Sequence, residues 1–453
     1  MVKELKDKNG FIPKYVKLYE QYKSLILEGG LSGGDKLPSI RTNSQNFNLS
    51  RTTVEAAYAL LAAEGYIISK AQSGFYVCSA DFEKIAQIKK GEADAASDKP
   101  NIKYDLVSSS ADRESFNFAL WRRYVKSALR QDERLLSYGE PQGEADLREA
   151  ICSYIGKERN VICTPKQIVI AAGTQNLIGI LCAIASERKD VIFVGSRFDG
   201  GKAVFEDYGK NVAAMLSVPE RIGDLAKYNA SMIYTSPSHI DSWGNVLGIR
   251  QRMEMLEFAH EHDCLIIEDD YDSEFRYYSR STPSLQGMDA GQTVVYIGTF
   301  SKMLLPSIRI SFMVLPLSLV KKYEERGKLY NQTASKAEQI ALCQYIRDGH
   351  LGAQVRKQRK QYAAKTKQIC KRANELMPKS IEFSECQASY LIRIKAKTKK
   401  SNAEIAEDAE KNGIKLRLVG NENGKSLMLI SVAGFDTQNC DDMLQRIRAA
   451  IED

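Results

Sequence analysis

The sequence predicts an α/β protein in two parts, a small helical head that ends in a pair of short strands and a large domain built on a mostly parallel sheet. Three observations carry that expectation. Apolar residues fall at helical spacing in successive segments of the first 66 residues. A polar stretch poor in large apolar residues runs from Ala80 to about Tyr104. Beyond Asp105, helical patterns alternate with short apolar runs, the order that places parallel strands between helices. The expected boundaries are therefore a head at 1–79, a linker at 80–104 and a large domain at 105–453.

Composition bounds the classes available. The 453 residues exceed the ~250–300 at which single cores stop growing. Hydrophobic content of 43% and charged content of 27% are those of a globular chain. No run of ~18 apolar residues occurs, and the opening MVKELKDKN is charged with no long apolar segment behind it. Neither a membrane span nor a secretory leader is expected, and the cytoplasm is the expected compartment. The nine cysteines are scattered without close pairs and mostly lie among apolar residues, as reduced core thiols do. Four dispersed histidines make no metal set. The net charge of +7 permits nucleic-acid binding without demanding it; the first eighty residues hold ten Lys/Arg against seven Asp/Glu. DNA contact would rest on where those charges stand rather than on bulk attraction.

In the head, Tyr15 to Leu27 places Val16, Leu18, Tyr19, Tyr22, Leu25 and Ile26 at helical spacing and stops at Gly29 and Gly30. Ser39 opens a short second helix as its N-cap, and Ser50 opens a third with Val54, Ala57, Tyr58 and Leu61 on one face. The opposite face carries Arg51, Thr52, Thr53 and Glu55 on the first turns. A second helix with small polar and basic residues at its start suits insertion into a major groove. Ile67–Ile68 and Phe75–Val77 read as a two-stranded wing around Lys70 to Gly74.

In the large domain the apolar runs are IVIAAG (168–173), VIFVG (191–195), SMIYTSP (231–237), LIIEDD (265–270), VVYIG (294–298) and ISFMVLP (310–316). Ligands gather at the carboxyl ends of such strands, and polar residues cluster there. Gly173, Thr174, Gln175 and Asn176 lead into the helix Leu177 to Ala185, whose free amides suit a phosphate. Glu268, Asp269 and Asp270 close a buried strand, where like charges are costly unless paired. An aspartate there would hold a pyridine nitrogen protonated, with Tyr271 donating to a phenolic oxygen on the same ring; divalent metal binding and a solvated acidic turn remain open at this point. Lys302 follows the turn Thr299–Phe300–Ser301 at the lip of a core, with Arg309 seven residues on. A desolvated lysine attacks a carbonyl to form a Schiff base, and the hydroxyls and guanidinium suit a phosphorylated aldehyde. On this stretch alone an ordinary loop lysine fits equally well.

The motifs KLPSIR (36–41), LSRTTVEAAYALLAAEGYI (49–67) and SGFYV (73–77) resemble the winged helix-turn-helix of the GntR family of bacterial regulators. That resemblance implies DNA contact by Arg41, Ser50, Arg51, Thr52 and Thr53, with Gly74 at the wing tip. Asn43, where the family has an apolar core residue, and Gln72, in place of a wing glycine, depart from it. YGEPQGEADLREAI (138–151), AAGTQ (171–175), TSPSH (235–239), IIEDDYDSEFRY (266–277) and YIGTFSK with Arg309 occur in the order seen in fold-type I aminotransferases. The whole chain thus resembles a MocR-type regulator, a GntR head fused to an aminotransferase-like domain that binds pyridoxal phosphate (PLP). By that resemblance Lys302 carries the cofactor as a Schiff base, Asp269 pairs with the ring nitrogen and Tyr271 contacts the phenolic oxygen. Gly173, Thr174, Gln175, Thr299 and Arg309 hold the phosphate and Phe198 stacks on the ring, although the usual acidic-proline lead-in is replaced by VGSR.

Two further departures bear on function. Where the family has an aromatic-Pro-small-Gly turn this chain reads Ile240, Asp241, Ser242, Trp243, Gly244. The late strand SLMLISVAG (426–434) lacks the arginine that grips a substrate carboxylate; Met428 or Leu429 takes its place, with Arg417, Arg393 and Lys425 as nearby substitutes. The resemblance implies a cytoplasmic regulator that binds operator DNA as a head-to-tail homodimer and senses an amine-bearing or amino-acid-like small molecule by Schiff-base exchange at Lys302. Two alternatives stand beside it: PLP as the effector itself, or a working aminotransferase that carries a DNA-binding head. The missing arginine argues against efficient turnover on common amino acids. The Lys, Arg and Gln of Lys321 to Lys367 read as a solvated helix face rather than a second DNA surface.

Overall fold

The computed structural model describes residues 13–70, 73–78, 101–107, 115–195, 198–219, 222–241, 243–271, 273–275, 282–327, 329–386 and 390–452. Of the features anticipated above, the opening nine residues, Gln72, the linker up to residue 100, Ser196, Arg197, Ser242, Asp272, Arg276 and Tyr277 lie outside the described residues. The chain divides into two compact units, Met1–Pro100 and Asn101–Asp453.

The first unit holds α1 (Lys14–Leu27), α2 (Ile40–Asn46), α3 (Arg51–Ala63), β1 (Ile67–Lys70) and β2 (Gly74–Val77). Ser39 and Ser50 cap α2 and α3 by accepting from the amides of Thr42 (3.1 Å) and Thr53 (3.2 Å), which satisfies donors that a helix start leaves open. Leu18, Tyr19, Tyr22 and Ile26 of α1 meet Val54, Ala57, Tyr58 and Leu61 of α3 in a core closed by Leu37, Ile67 and Val77. The wing strands pair antiparallel, from Ile67 opposite Val77 to Lys70 opposite Gly74.

Asn43 is fully buried, and its neighbours explain how a polar residue is tolerated in an apolar position. The Tyr22 hydroxyl donates to Asn43 Oδ1 (3.0 Å), Asn43 Nδ2 donates to the Tyr58 oxygen (2.9 Å), and the Tyr58 hydroxyl donates to the Pro38 carbonyl (2.9 Å). Burial pushes the Tyr58 hydroxyl far above its ordinary pKa, so it stays a neutral donor. Asn43→Leu leaves the Tyr22 hydroxyl without this acceptor, while Tyr58 keeps its bond to Pro38; one buried unsatisfied hydroxyl costs about 1–3 kcal/mol. Urea unfolding of the head should show a loss of that size.

The second unit contains β3 (Tyr104–Asp105), β4 (Ile168–Ala171), β5 (Asp190–Val194), β6 (Asn211–Leu216), β7 (Met232–Thr235), β8 (Leu265–Asp270), β9 (Val294–Thr299), β10 (Ser311–Val314), β11 (Ile381–Glu385), β12 (Leu391–Lys397), β13 (Ile414–Lys415), β14 (Arg417–Glu422) and β15 (Lys425–Ser431). Seven form a sheet in the order β4-β10-β9-β8-β7-β5-β6. The β6–β5–β7–β8–β9 run is parallel, whereas β10 lies antiparallel to both β9 and β4. Only residues 300–310 join β9 to β10, too few for the crossover that parallel neighbours need. Lys302 therefore sits in a tight reversal between antiparallel strands, with Thr299 opposite Ser311. Helices cover both faces. Ile168 and Ile170 pack with Leu147, Ile151 and Ile155 on one side, and Val169 and Ala171 with Leu177, Ile178 and Leu181 on the other. Burial on both faces is why these strands read as unbroken apolar runs.

A second sheet, β11-β12-β15-β14, is antiparallel and packs one face against helices His350–Leu376 and Cys440–Ile451. No lysine or arginine is among the fully buried residues of His350–Leu376, although Arg359 and Lys365 turn inward to the Glu274 and Phe435 carbonyls. β3 pairs with β13, tying residue 104 to the C-terminal part of the unit. Cys152 and Cys163, eleven residues apart, lie with their sulfurs 3.7 Å from each other, because the helix Ala145–Arg159 ends in a left-handed turn at Asn160 that returns the chain beneath it. Both are free thiols. Among the described residues no helix is long and apolar enough to cross a membrane.

Candidate functional site

A cavity of about 370 Å³ opens at the carboxyl ends of the large sheet, lined by Thr174, Gly195, Phe198, His239, Asp241, Gly244, Asp269, Tyr271, Thr299, Lys302, Leu391, Arg417 and Leu429. That volume lies in the ~300–1,000 Å³ range of small-molecule and cofactor sites. Thr174, Phe198, Asp269, Tyr271, Thr299 and Lys302, separated by up to 128 positions, are thus brought to one wall system.

The acidic strand end resolves by alternation along β8, since neighbouring side chains leave opposite faces. Asp269 faces the cavity and accepts from the Tyr234 hydroxyl at 2.5 Å. Glu268 and Asp270 face away. Glu268 accepts from the Leu285 and Gln286 amides (2.9 and 3.0 Å), with Arg252 at 3.9 Å. Burial, then the charge of Asp270, pushes its carboxyl upward. Asp270 takes the Arg159 guanidinium at 2.7 Å, the Tyr296 hydroxyl at 2.7 Å and Ser238 at 3.0 Å. Burial works to raise its pKa, but Arg159 and these donors outweigh it and hold the carboxyl below the usual range. Each acid has its own partner, and among the described residues no cluster suits a metal ion.

The strand-to-helix turn after β4 is closed by an arginine. Gly173 holds φ = +113° before the helix Thr174–Ile184, whose start has no side-chain cap. A Cβ at Gly173 would fall 2.6 Å from Arg309 Nη2, so only glycine lets the guanidinium close on the turn; Arg309 also donates to the Ala172 carbonyl at 3.2 Å. Gln175 is exposed and its amide donates to the Gly200 carbonyl at 3.0 Å, which buttresses the loop behind Phe198 instead of lining the cavity. The Thr299 hydroxyl oxygen accepts from Ser311 at 2.9 Å and from the Ser301 amide at 3.3 Å, which orients it.

Several contributors were not legible as such. His239 stacks on Tyr271 with ring centroids 5.3 Å apart and planes at 19°, placing two flat side chains in the cavity wall; its signal was its place in TSPSH. Tyr234, Arg159 and Arg252 support the acids from behind. A clue to both arginines lay in helices whose buried positions are otherwise mostly apolar. The loop that replaces the aromatic-Pro turn is organised by Asp241, which accepts from the Trp243 and Asn245 amides, both at 2.9 Å, and from the Asn245 side chain at 2.6 Å.

The far wall settles the ambiguity over the late strand: Leu429, not Met428, lines the cavity, while Met428 is buried in the core beneath the second sheet. Arg417 lines it as well. Arg393 donates instead to the Trp243 carbonyl (2.9 Å) and Asn245 Oδ1 (3.0 Å), and Lys425 pairs with Glu382 at 2.7 Å.

In the head, Arg41, Arg51 and Thr52 are exposed and Thr53 half-buried at the starts of α2 and α3. Ser50 is exposed too, but its oxygen is committed to the cap and lies 2.6 Å from the Thr53 hydroxyl. Gly74 opens β2 at φ = +111°. Lys36 and Lys70 both stand over the Tyr76 ring, at 5.7 and 4.6 Å, adding positive charge beside the wing.

Comparison with known proteins assigns both units. The family described as bacterial regulatory proteins, gntR family, matches residues 14–77, and aminotransferase class I and II matches residues 114–447. The HTH-type transcriptional regulator YdeL of Bacillus subtilis is 33% identical over 412 residues, 89% of each chain. The probable rhizopine catabolism regulatory protein MocR of Rhizobium meliloti is 30% identical over 392 residues, 81% of this chain and 79% of that one. Among solved structures, an archaeal alanine:glyoxylate aminotransferase superposes with a TM-score of 0.67 at 20% identity, covering 80% of this chain and 93% of that one.

Proposed function

Because this chain belongs to the MocR-type transcriptional regulators of the GntR family, a winged helix-turn-helix head joined to an aminotransferase class I and II domain, we propose that it is a PLP-dependent regulator that senses an amine-bearing small molecule at Lys302. The observation that carries this reading is the convergence of Lys302, Asp269, Tyr271 and Phe198 on one cavity, beside a glycine-and-arginine cradle fitted to a phosphate.

The donor set fits the cofactor. Gly173, Thr174, Gln175, Thr299 and Arg309 would hold its phosphate, the Gln175 side chain also supporting the loop of Phe198. Asp269, kept in place by Tyr234, would keep the ring nitrogen protonated. Tyr271, stacked on His239, would donate to the phenolic oxygen, and Phe198 would cover the ring. PLP, when bound, supplies an aldehyde carbon that amines attack. Lys302 Nζ would be the group that bonds to that carbon, and whenever a ligand amine held it instead the lysine amine would need other partners in the cavity. DNA binding changes only so far as ligand-bound and ligand-free arrangements differ in affinity for the operator.

Regulators of this family bind operator DNA. For this chain, Arg41, Ser50, Arg51, Thr52, Thr53 and Gly74 are the proposed contacts, with Ser50 acting through the cap that orients its neighbours. The head, linker and effector domain are proposed at 1–79, 80–104 and 105–453. A homodimer, head to tail, would cover Leu136, Tyr138 and Leu329, which stand 86%, 101% and 81% exposed, and would present two heads to paired half-sites. Such a regulator works in the cytoplasm.

The test uses a DNA fragment selected by the full chain from a random pool, with binding measured without cofactor, with PLP, and with PLP plus amines. A response only in the third arm supports the sensor. A full response to PLP alone makes the cofactor the signal, and steady keto-acid release makes the protein an enzyme. Arg51→Ala should weaken binding by about 1–3 kcal/mol, roughly 5- to 150-fold, with the cofactor-dependent absorption unchanged; equal affinity would remove Arg51 from the DNA face.

A further inference from the structure

Leu429 occupies the middle of a row of three side chains on one face of the second sheet. Arg393 of β12 and Arg417 of β14 lie directly opposite it on either side, and residues so paired share a face with Cβ atoms ~4.5–5.5 Å apart. The two arginines are used differently. Arg393 is spent on the 243–245 loop through two hydrogen bonds, and its guanidinium lies 5.6 Å from the Trp243 ring centre. Arg417 lines the cavity with Lys302 and Leu429, and among the described residues no hydrogen bond or ion pair engages it. The carboxylates of the same cavity are committed elsewhere, Asp241 to three donors of its own loop and Asp269 to Tyr234.

A guanidinium offers five donors in a planar fork that matches a carboxylate, and Arg417, on the wall of a cavity whose own carboxylates are engaged by other donors, is poised for one from a ligand. We propose that Arg417 receives the acid group of the effector, which makes the effector a primary amine bearing a carboxylate, its carbon chain lying across Leu391 and Leu429. The carboxylate site has moved one strand outward, from β15 to the edge strand β14, and Leu429 supplies apolar surface where a charge would otherwise stand. This deepens the sensing reading above and rests on it for the amine end; the acid end depends only on Arg417.

The test titrates the PLP-loaded full chain with ω-amino carboxylates of two to six carbons and with L-alanine, each against the n-alkylamine of the same length, and follows the visible absorption. A parallel measurement follows the melting midpoint with the matching carboxylic acids, which have no amine. At the best chain length the amino acid should half-saturate at roughly tenfold lower concentration than the alkylamine, the effect of one charge-assisted pair. Its parent acid should raise the melting midpoint. Arg417→Gln should bring amino acid and alkylamine within about twofold of each other and remove the thermal shift while leaving the band of the loaded protein unchanged. Arg393→Gln should retain the preference. An Arg417→Gln protein that keeps the tenfold preference, or a wild type that shows none with any acid, overturns the proposal. If no amine alters the band but the acids still stabilise only proteins with Arg417, amine exchange fails and the anion site stands.

Discussion

Lys302→Ala is expected to abolish the imine absorption of the protein loaded with PLP, and with it the response to amines that proceeds by displacing the lysine. The cavity contains many groups that would hold such a cofactor by charge and shape, among them Thr174, Thr299, Asp269 and Tyr271, with Arg309 closing on the adjoining turn. Only Lys302 among its described lining residues carries an amine that can bond covalently to an aldehyde. Deleting the amine removes the covalent link but leaves the cradle, so the variant should still take up cofactor, absorbing like free aldehyde and losing it on dialysis. Folding should survive, because Lys302 is half-buried on the β9–β10 reversal and the adjacent anchors are the buried Phe300, Met303 and Leu304. An unchanged band in Lys302→Ala would move the attachment to another lysine and sink the sensing reading with it.

Arg159→Met should be the most destabilising single change in the large unit outside its apolar core. Arg159 and Asp270 are 2% and 3% exposed and joined at 2.7 Å. Burial alone would lower the charge state of each, and it is their mutual attraction that keeps both ionised. Removing one partner of a buried pair leaves an uncompensated charge and costs about 3–5 kcal/mol, measurable as a shift in the urea midpoint. Arg159→Met with Asp270→Leu should recover much of that loss, since an apolar replacement of the whole pair is often neutral. If the double variant is no more stable than the single, Arg159 acts through packing and its bond to the Thr282 carbonyl (3.3 Å) rather than through the charge of Asp270.

The two variants separate what lines the cavity from what stands behind it, and the sequence was legible to different depths in each. Lys302, Asp269 and Tyr271 follow apolar runs that end in polar turns, a local signal that places side chains at strand ends. Gly173 beside Thr174 announced a helix start. Arg309, by contrast, closes on Gly173 across 136 positions of chain, and nothing in its own neighbourhood says where its guanidinium points. The three acids of β8 looked alike in sequence; alternation alone puts Asp269 apart from its neighbours, but Arg159 and Arg252 reach the other two from separate helices. Gln175 is a further case, since its place beside Thr174 says nothing of the Gly200 carbonyl, 25 positions on, that its side chain meets.

The head shows the same division at smaller scale. Helical spacing and two serine caps declared α1, α2 and α3 before any fold was known, because capping and amphipathic burial are decided within a few residues. Asn43 could be seen as a departure but not as a satisfied one, since its partners Tyr22 and Tyr58 lie 21 and 15 positions away on different helices.

By itself, then, the sequence determined the two-part order, the alternating α/β plan, the family, and which turns carry reactive side chains, because periodicity, capping and turn chemistry act over a handful of residues. Only the tertiary structure decided the reversal of β10, the pairing of each buried acid, and which of Met428 and Leu429, and which nearby cation, lines the far wall. Those outcomes depend on strand register and on which helices meet which sheet face. Register is a property of packed neighbours, and a shift of one residue would have turned Leu429 into the core and Met428 into the cavity.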